Sequence, residues 1–265
     1  MSDCKVLSLP LPQTLAFDFD GVLCNGLREY FLTTWRTYRR VWSTSTSEPL
    51  PGLADAFYRL RPVIETGWEM PVLLRAMLKG FSAQQVLTDW QSIRDRIVAE
   101  EDLSSKDLGQ QVDRVRDYWI AEKLDQWLAL HEFYPGVIGQ LQGLLGQSLE
   151  IVIISTKESR FIQTLLADAG VDLGRDRIYG KDCRRPKYET LRLLKAQLPA
   201  PIWFVEDRLE ALEQVKQYAD LDDIGLFLGE WGYNTERDRQ LAAQDPRIHR
   251  LKLDQFCQSL STWIP

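Results

Sequence analysis

The sequence is poor in histidine and in cysteine. Its 265 residues include only two histidines, His131 and His249, which leaves little material for a histidine-rich metal site or a histidine-based catalytic triad. The cysteines are far apart and show neither a CxxC pair nor zinc-ligand spacing; they are Cys4, Cys24, Cys183 and Cys257. We therefore expect free thiols in a reducing compartment, and place the protein in the cytoplasm.

An excess of positive charge is also absent. The chain has 32 Lys and Arg against 38 Asp and Glu, a net charge of −6, which argues against general binding of nucleic acid. A local basic spot at Arg184, Arg185 and Lys187 could still bind one small anion. No long hydrophobic run occurs near the N-terminus, where Pro10 and Pro12 interrupt the apolar residues, so we expect neither a signal peptide nor a membrane span.

The composition that remains is typical of a globular protein. Hydrophobic residues make up 45% and charged residues 26%, which predicts a sizeable buried core. Apolar runs of buried-strand length occur at 15–17, 151–154, 202–205 and 224–228. Helical patterns follow the second and third runs, at 161–169 with Gly170 as a stop, and at 209–215. This alternation predicts an α/β fold with a doubly wound, Rossmann-like parallel sheet.

Residues 26–132 contain only helix-length patterns, for example Leu108, Val112, Val115 and Trp119. We predict an all-helical domain inserted after the first strand, with residues 1–25 and 133–265 forming the core domain. Its tryptophans are expected to pack inward, although some could line a substrate pocket or a dimer surface. The Ser-, Thr- and Pro-rich stretch 43–51 predicts a loop between two of its helices. The oligomeric state stays open.

Reactive side chains lie at the ends of the predicted strands. Ligands of open parallel sheets bind at the carboxyl ends of the strands, so we expect these side chains to converge. The set comprises Asp18 and Asp20 after the first strand, Ser155, Thr156 and Lys157 after the second, Lys187 in the next connection, and Glu206 and Asp207 at the end of the third.

This set suits phosphoryl transfer. An aspartate such as Asp18 can attack phosphorus only if cations offset its charge and that of the phosphate. Mg²⁺ held by Asp18 and Asp207 would supply part of this compensation, and Lys187 another part. The Ser155 hydroxyl can donate to a phosphoryl oxygen, while Asp20 can protonate the leaving oxygen and later activate water.

The same segments resemble the four motifs of the haloacid dehalogenase superfamily. Asp18-Phe19-Asp20-Gly21-Val22 resembles the first motif, and residues 151–155 resemble the second, an apolar strand that closes on Ser or Thr. Residues 185–189, around Lys187, resemble the basic third motif, and residues 203–207 resemble the acidic fourth. The helical insertion directly after the first motif is similar to the caps of the phosphoglycolate-phosphatase-like subgroup.

The resemblance implies a magnesium-dependent phosphatase that acts on a small phosphorylated metabolite. An aspartate at position 20 points to phosphate esters rather than to dehalogenation. A phosphomutase of the same superfamily, or a non-catalytic binding protein on a decayed phosphatase fold, are the alternatives. The implied catalytic residues are Asp18, Asp20, Ser155 and Lys187, and the candidate metal ligands are Asp18, Asp20, Glu206 and Asp207.

Two motifs depart from the usual pattern. The fourth motif commonly reads Gly-Asp with a second Asp four or five residues later, whereas this chain has Glu206-Asp207 with Glu210 three residues on. Asp207 is therefore the preferred ligand. Lys181 and Arg185 are rivals of Lys187 for the basic third motif.

Purely structural roles are also compatible with two of these residues. Residues 155–158 read Ser-Thr-Lys-Glu and fit a capping box, in which Ser155 would only cap the following helix. Asp207 could likewise be the acidic cap of the helix that begins near Leu209. We favour phosphate binding for Ser155 and metal binding for Asp207.

Overall fold

The computed structural model describes residues 9–264. The chain divides into two compact units, one of residues up to Asn25 and from Phe133 onward, the other of Gly26–Glu132. We call them the core unit and the helical unit. Cys4 lies outside the described residues, and the other three cysteines are free thiols. Within the described part of the chain, no helix is long and apolar enough to cross a bilayer.

The core unit is built on a six-stranded sheet in which every strand is parallel to its neighbours. Two further short strands, β2 and β3, form a separate two-stranded sheet. The strands are β1 (Thr14–Phe17), β2 (Cys24–Asn25), β3 (Glu132–Phe133), β4 (Glu150–Ile154), β5 (Ile178–Tyr179), β6 (Ile202–Glu206), β7 (Gly225–Gly229) and β8 (Ile248–Leu251). The order in the large sheet is β5-β4-β1-β6-β7-β8.

The helical unit contains five α-helices. Its last residue, Glu132, is the first residue of β3, and no other residue of the unit lies in a strand. The helices are α1 (Leu27–Val41), α2 (Leu53–Leu60), α3 (Glu69–Leu78), α4 (Ala83–Glu100) and α5 (Ser105–Leu128). Residues 43–51 form the loop between α1 and α2, as predicted. Four tryptophans of this unit are buried, which agrees with the inward packing expected from their spacing; they are Trp35, Trp90, Trp119 and Trp127.

The helices of the core unit cover both faces of its sheet. They are α6 (Val137–Leu145), α7 (Ser159–Asp168), α8 (Lys187–Gln197), α9 (Leu209–Lys216), α10 (Glu236–Gln244) and α11 (Leu253–Phe256). On one face, strand residues such as Ala16 and Phe204 pack with Leu191 of α8. On the other, Phe17 contacts Phe256. Because successive strand residues point to opposite faces, apolar strands are covered on both sides, and the doubly wound α/β prediction is confirmed.

Candidate active site

The first and third predicted strands bring acidic residues side by side. β1 and β6 are adjacent and parallel, with Phe17 opposite Val205. The backbone N–H of Asp18 continues this ladder by donating to the Val205 carbonyl over 2.9 Å. Asp18 therefore leaves the sheet at the same level as Glu206, which ends β6, and Asp207, which follows it.

Asp18, Glu206 and Asp207 form a buried cluster of three carboxylates. One oxygen of each lies within 4.8 Å of the others, and none of the three residues is more than 6% exposed. Burial, opposed by Lys187 and reinforced by the charge of Glu206, raises the pKa of Asp18 to about 7. Burial and the charge of Asp18 raise the pKa of Asp207 to about 6, and burial also raises the pKa of Glu206.

Lys187, the first residue of α8, supplies a positive charge to this cluster. Its Nζ lies 3.0 Å from Oδ1 of Asp18 and 2.5 Å from Oε2 of Glu206. Burial alone would lower the pKa of Lys187, but the two carboxylates outweigh it and raise that pKa. The rival candidates Lys181 and Arg185 are exposed. Lys187 is thus the basic residue of the three that lies beside Asp18.

The cluster has a carboxylate oxygen that the described residues leave without a hydrogen bond. Oδ1 of Asp207 accepts no hydrogen bond from residues 9–264, and Oδ1 of Asp18 has the Lys187 ammonium beside it, 3.0 Å away. Oδ2 of Asp207 accepts from the backbone N–H of Tyr233 over 2.6 Å. Buried carboxylate oxygens with free lone pairs are what a hard divalent cation such as Mg²⁺ requires, so these residues fit such an ion. Glu210 is exposed and lies outside the cluster.

Two glycines let the backbone pack closely against Asp207. Gly21 has a φ of +96°, and a Cβ there would lie 2.1 Å from Oδ2 of Asp207. A Cβ at Gly232 would lie 2.3 Å from the Cβ of Asp207. Any side chain at either position would displace this carboxylate from the cluster.

Asp20 lies in the turn after β1 and has a different partner. Its Oδ2 is 3.2 Å from Nζ of Lys157, whose side chain is only 8% exposed, and its Oδ1 has no hydrogen-bond partner in the described part of the chain. The structure does not include Asp20 in the three-carboxylate cluster. Lys157 received no role in the sequence analysis. Its position two residues after Ser155, past the end of a strand adjacent to β1, is the signal that could have identified it.

Ser155 follows β4 and is 7% exposed. Its Oγ accepts the backbone N–H of Lys157 over 3.2 Å, so it caps a local turn. The capping-box alternative for Ser155 is wrong, because α7 begins only at Ser159 and its N-cap, Glu158, makes no side-chain cap. The helix-cap alternative for Asp207 is also wrong: the N-cap of α9 is Arg208.

The site residues all fall within one family match. The family model for a haloacid dehalogenase-like hydrolase matches residues 12–213, about three quarters of the chain. The chain belongs to the haloacid dehalogenase-like hydrolase family. In this hydrolase the matched range contains every candidate site residue, from Asp18 to Asp207, and the whole helical unit.

Solved structures share the fold of this hydrolase at low sequence identity. A predicted phosphatase from Clostridium acetobutylicum has a TM-score of 0.58 at 13% identity, over 94% of this chain and 97% of that one. A predicted phosphoglycolate phosphatase from Haemophilus somnus 129PT has a TM-score of 0.53 at 17% identity, over 84% and 88%. A haloacid dehalogenase-like family protein from Streptococcus pneumoniae has a TM-score of 0.55 at 15% sequence identity, over 91% of this chain and 93% of that one. No curated protein matches the chain.

Proposed function

We propose that this hydrolase is a magnesium-dependent phosphatase that releases phosphate from a small phosphomonoester through a phosphoryl-aspartate on Asp18. The observation that carries the proposal is the buried carboxylate of Asp18 beside one ammonium group and two further buried carboxylates. The names of the phosphatases that share the fold support this choice of substrate class. We also propose that the enzyme works in the cytoplasm.

Asp18 is the proposed nucleophile. One of its carboxylate oxygens forms a bond to phosphorus while the bond between phosphorus and the ester oxygen breaks. The departing oxygen needs a proton, which Asp20, two residues away in the same turn, donates as general acid. Asp20 then takes a proton from the water that hydrolyses the phosphoryl-aspartate, which returns both side chains to their starting state.

Positive charge must offset the phosphate that enters this cluster. Lys187 already contacts Asp18 and Glu206, and in this proposal it also binds a phosphoryl oxygen. Ser155 donates its hydroxyl hydrogen to another phosphoryl oxygen, since its Oγ accepts the Lys157 N–H and donates no hydrogen bond to residues 9–264. Lys157 orients Asp20 through their ion pair.

Mg²⁺ would be held by Asp18, Glu206 and Asp207. We retain Asp20 as a fourth proposed ligand through Oδ1, which has no hydrogen-bond partner. When bound, the ion supplies the charge neutralisation that lets an anionic nucleophile approach an anionic substrate.

The test is phosphate release from a panel of small phosphomonoesters, including phosphoglycolate and sugar phosphates, with magnesium and with chelator. We expect magnesium-dependent release that Asp18→Asn and Asp20→Asn each lower by about a thousandfold or more. Asp172→Asn is the matched control, because this core-unit aspartate is exposed and lies outside the cluster. No release from any ester by folded, magnesium-loaded protein would overturn the proposal and favour a mutase or a binding protein.

A further inference from the structure

The helical unit contains a pocket of about 570 Å³ between α1 and α5 that carries unusual charge. In α1, Arg39 and Arg40 follow Arg36 by three and four residues, which places both on the same face of the helix as Arg36. All three line the pocket together with Lys123 of α5. In a chain with a net charge of −6, four cations in one pocket are a marked local concentration.

These four cations lack acidic partners in the described part of the chain, whereas six other basic residues of the unit have one, namely Arg28, Arg75, Lys79, Arg94, Arg96 and Arg116. Among residues 9–264, no carboxylate lies within ion-pair distance of Arg36, Arg39, Arg40 or Lys123. The pocket lining contains one acidic residue, Glu122, against the four cations. Burial lowers the pKa of Arg36, and no carboxylate offsets this effect. The pocket therefore has a net positive charge that the described protein does not neutralise.

Two buried donors at this pocket also lack partners. Trp119 lines the pocket, is 5% exposed, and its indole N–H has no hydrogen-bond partner among the described residues. Nε of Arg39 is buried and likewise unpaired. Buried donors are almost always satisfied in proteins, and both of these N–H groups are enclosed by the protein, so an acceptor from outside the chain reaches them only when covering side chains such as Arg36, which stacks on Trp119, move aside.

The remaining walls favour a planar, partly apolar group. The guanidinium of Arg36 lies 3.4 Å from the ring centre of Trp119, and Val115 adds an aliphatic wall. Tyr118 is 62% exposed at the same pocket and offers a free aromatic surface. The volume is in the range of small-molecule sites, roughly 300–1,000 Å³.

We propose that this pocket is a second binding site of the protein, for a small phosphorylated ligand that carries a planar ring. The arginines present paired N–H groups that match phosphate oxygens, and the exposed ring of Tyr118 presents a face for the ring of the ligand. The site lies wholly within the helical unit and does not depend on the function proposed for the core carboxylates.

Calorimetric titration of the full chain with ADP tests the proposal. Chelator is present throughout, which excludes metal-dependent turnover and metal-mediated binding at the carboxylate cluster. We expect ADP to bind about tenfold more tightly than pyrophosphate, which lacks the ring, or ribose 5-phosphate, which lacks the base. No measurable binding of ADP would overturn the proposal, as would equal affinity for pyrophosphate or tighter binding of a single-stranded oligonucleotide.

Variants locate the binding. Arg36→Gln combined with Arg40→Gln should weaken ADP binding at least about tenfold, because charge-assisted hydrogen bonds to phosphate are lost. Arg114→Gln is the matched control, an exposed arginine of α5 that does not line the pocket. Tyr118→Ala, at an exposed position that should not affect folding, should reduce the affinity for ADP to that for pyrophosphate. ADP binding that both the double arginine variant and Tyr118→Ala leave unchanged would place the site elsewhere and overturn the proposal.

Discussion

Glu29 in the helical unit and Asp207 in the core unit are both 1% exposed, but their carboxylates have different surroundings. Glu29 accepts a bidentate pair from Arg116, over 2.8 and 3.2 Å. It also accepts the indole N–H of Trp127 over 3.1 Å and the hydroxyl of Thr33 over 2.7 Å. Both of its oxygens have partners, so its charge is balanced within the protein.

Asp207 has no such balance. One oxygen accepts a single backbone N–H, from Tyr233, and the other accepts no hydrogen bond from any described residue. Its close charged neighbours include two more buried carboxylates, Asp18 and Glu206, and burial together with the charge of Asp18 raises its pKa to about 6. A buried charge with a complete set of partners stabilises the fold, whereas a buried charge with an incomplete set is arranged for a ligand.

The largest effect is expected from removing Lys187, the cation that contacts the carboxylates of the core cluster, and it should appear in activity. If the carboxylates of the core serve chemistry, Lys187→Met should lower kcat/KM for phosphate release by about 10²–10⁴-fold, because the variant loses a donor and a positive charge beside the nucleophile. Lys181→Met is the control, since Lys181 is exposed and its backbone N–H, not its ammonium, bonds the Lys157 carbonyl. Equal activity of the two variants in the steady-state assay would contradict the assignment of Lys187.

The helical unit should respond through stability. Glu29→Gln leaves the partly buried guanidinium of Arg116 without a counter-charge, so we expect the free energy of unfolding to fall by about 2–4 kcal/mol in urea denaturation. Glu132→Gln is the matched control: Glu132 also pairs with an arginine of this unit, Arg28, but both side chains are more than half exposed. That pair is expected to contribute less than about 0.5 kcal/mol. Similar losses in both variants would remove the contrast between buried and exposed pairs.

The sequence predicted the centre of the sheet well and its edges poorly. The runs that became β1, β4, β6 and β7 are apolar throughout, because a central parallel strand is buried on both faces. β5 and β8 are edge strands and were not predicted. β5 has only two residues, and β8 carries His249 and Arg250 at its middle, so neither gives a continuous apolar signal.

The spacing of apolar residues also gave a wrong indication of burial at one point of the helical unit. Leu124 continues the apolar spacing of α5 but is 40% exposed. Lys123 has non-helical angles, φ −150° and ψ 56°, which changes the direction of the residues after it. A local kink of this kind is not visible in the spacing of apolar residues.

The part of the candidate site that lies directly at the ends of strands could be predicted from the sequence. The sequence placed Asp18 and Asp207 together because both follow strands of a predicted parallel sheet, and the structure shows that these two strands are neighbours. Lys157 was among the strand-end residues expected to converge, but its contact with Asp20 was not predicted, because only Ser155 of that segment was assigned a role. Which of the three basic candidates meets Asp18 depends on where α8 begins, and spacing along the chain does not determine that.

The smallest expected effect concerns how the free energy of unfolding depends on pH, which should differ between the unbalanced carboxylates of the core unit and Glu29. The pKa of Asp207 is about 6 in the folded protein and that of an unfolded aspartate is about 3.9. The folded state therefore binds more protons than the unfolded state between these values, so this group makes the free energy of unfolding fall as pH rises from about 4 to about 6. The raised pKa of Asp18, about 7, extends the fall toward neutral pH.

Asp207→Asn should remove part of that fall. In chelator at neutral pH we expect the variant to be more stable than the wild type by roughly 1–2 kcal/mol, measured by urea denaturation across this pH range, because one buried, poorly paired charge is gone. Magnesium should reverse the order, since it stabilises only a folded state that retains the full ligand set. Asp172→Asn should follow the wild type in both conditions. If Asp207→Asn instead destabilises the metal-free protein, as Glu29→Gln should, then Asp207 belongs with the balanced charges of the fold and the contrast between the two units fails.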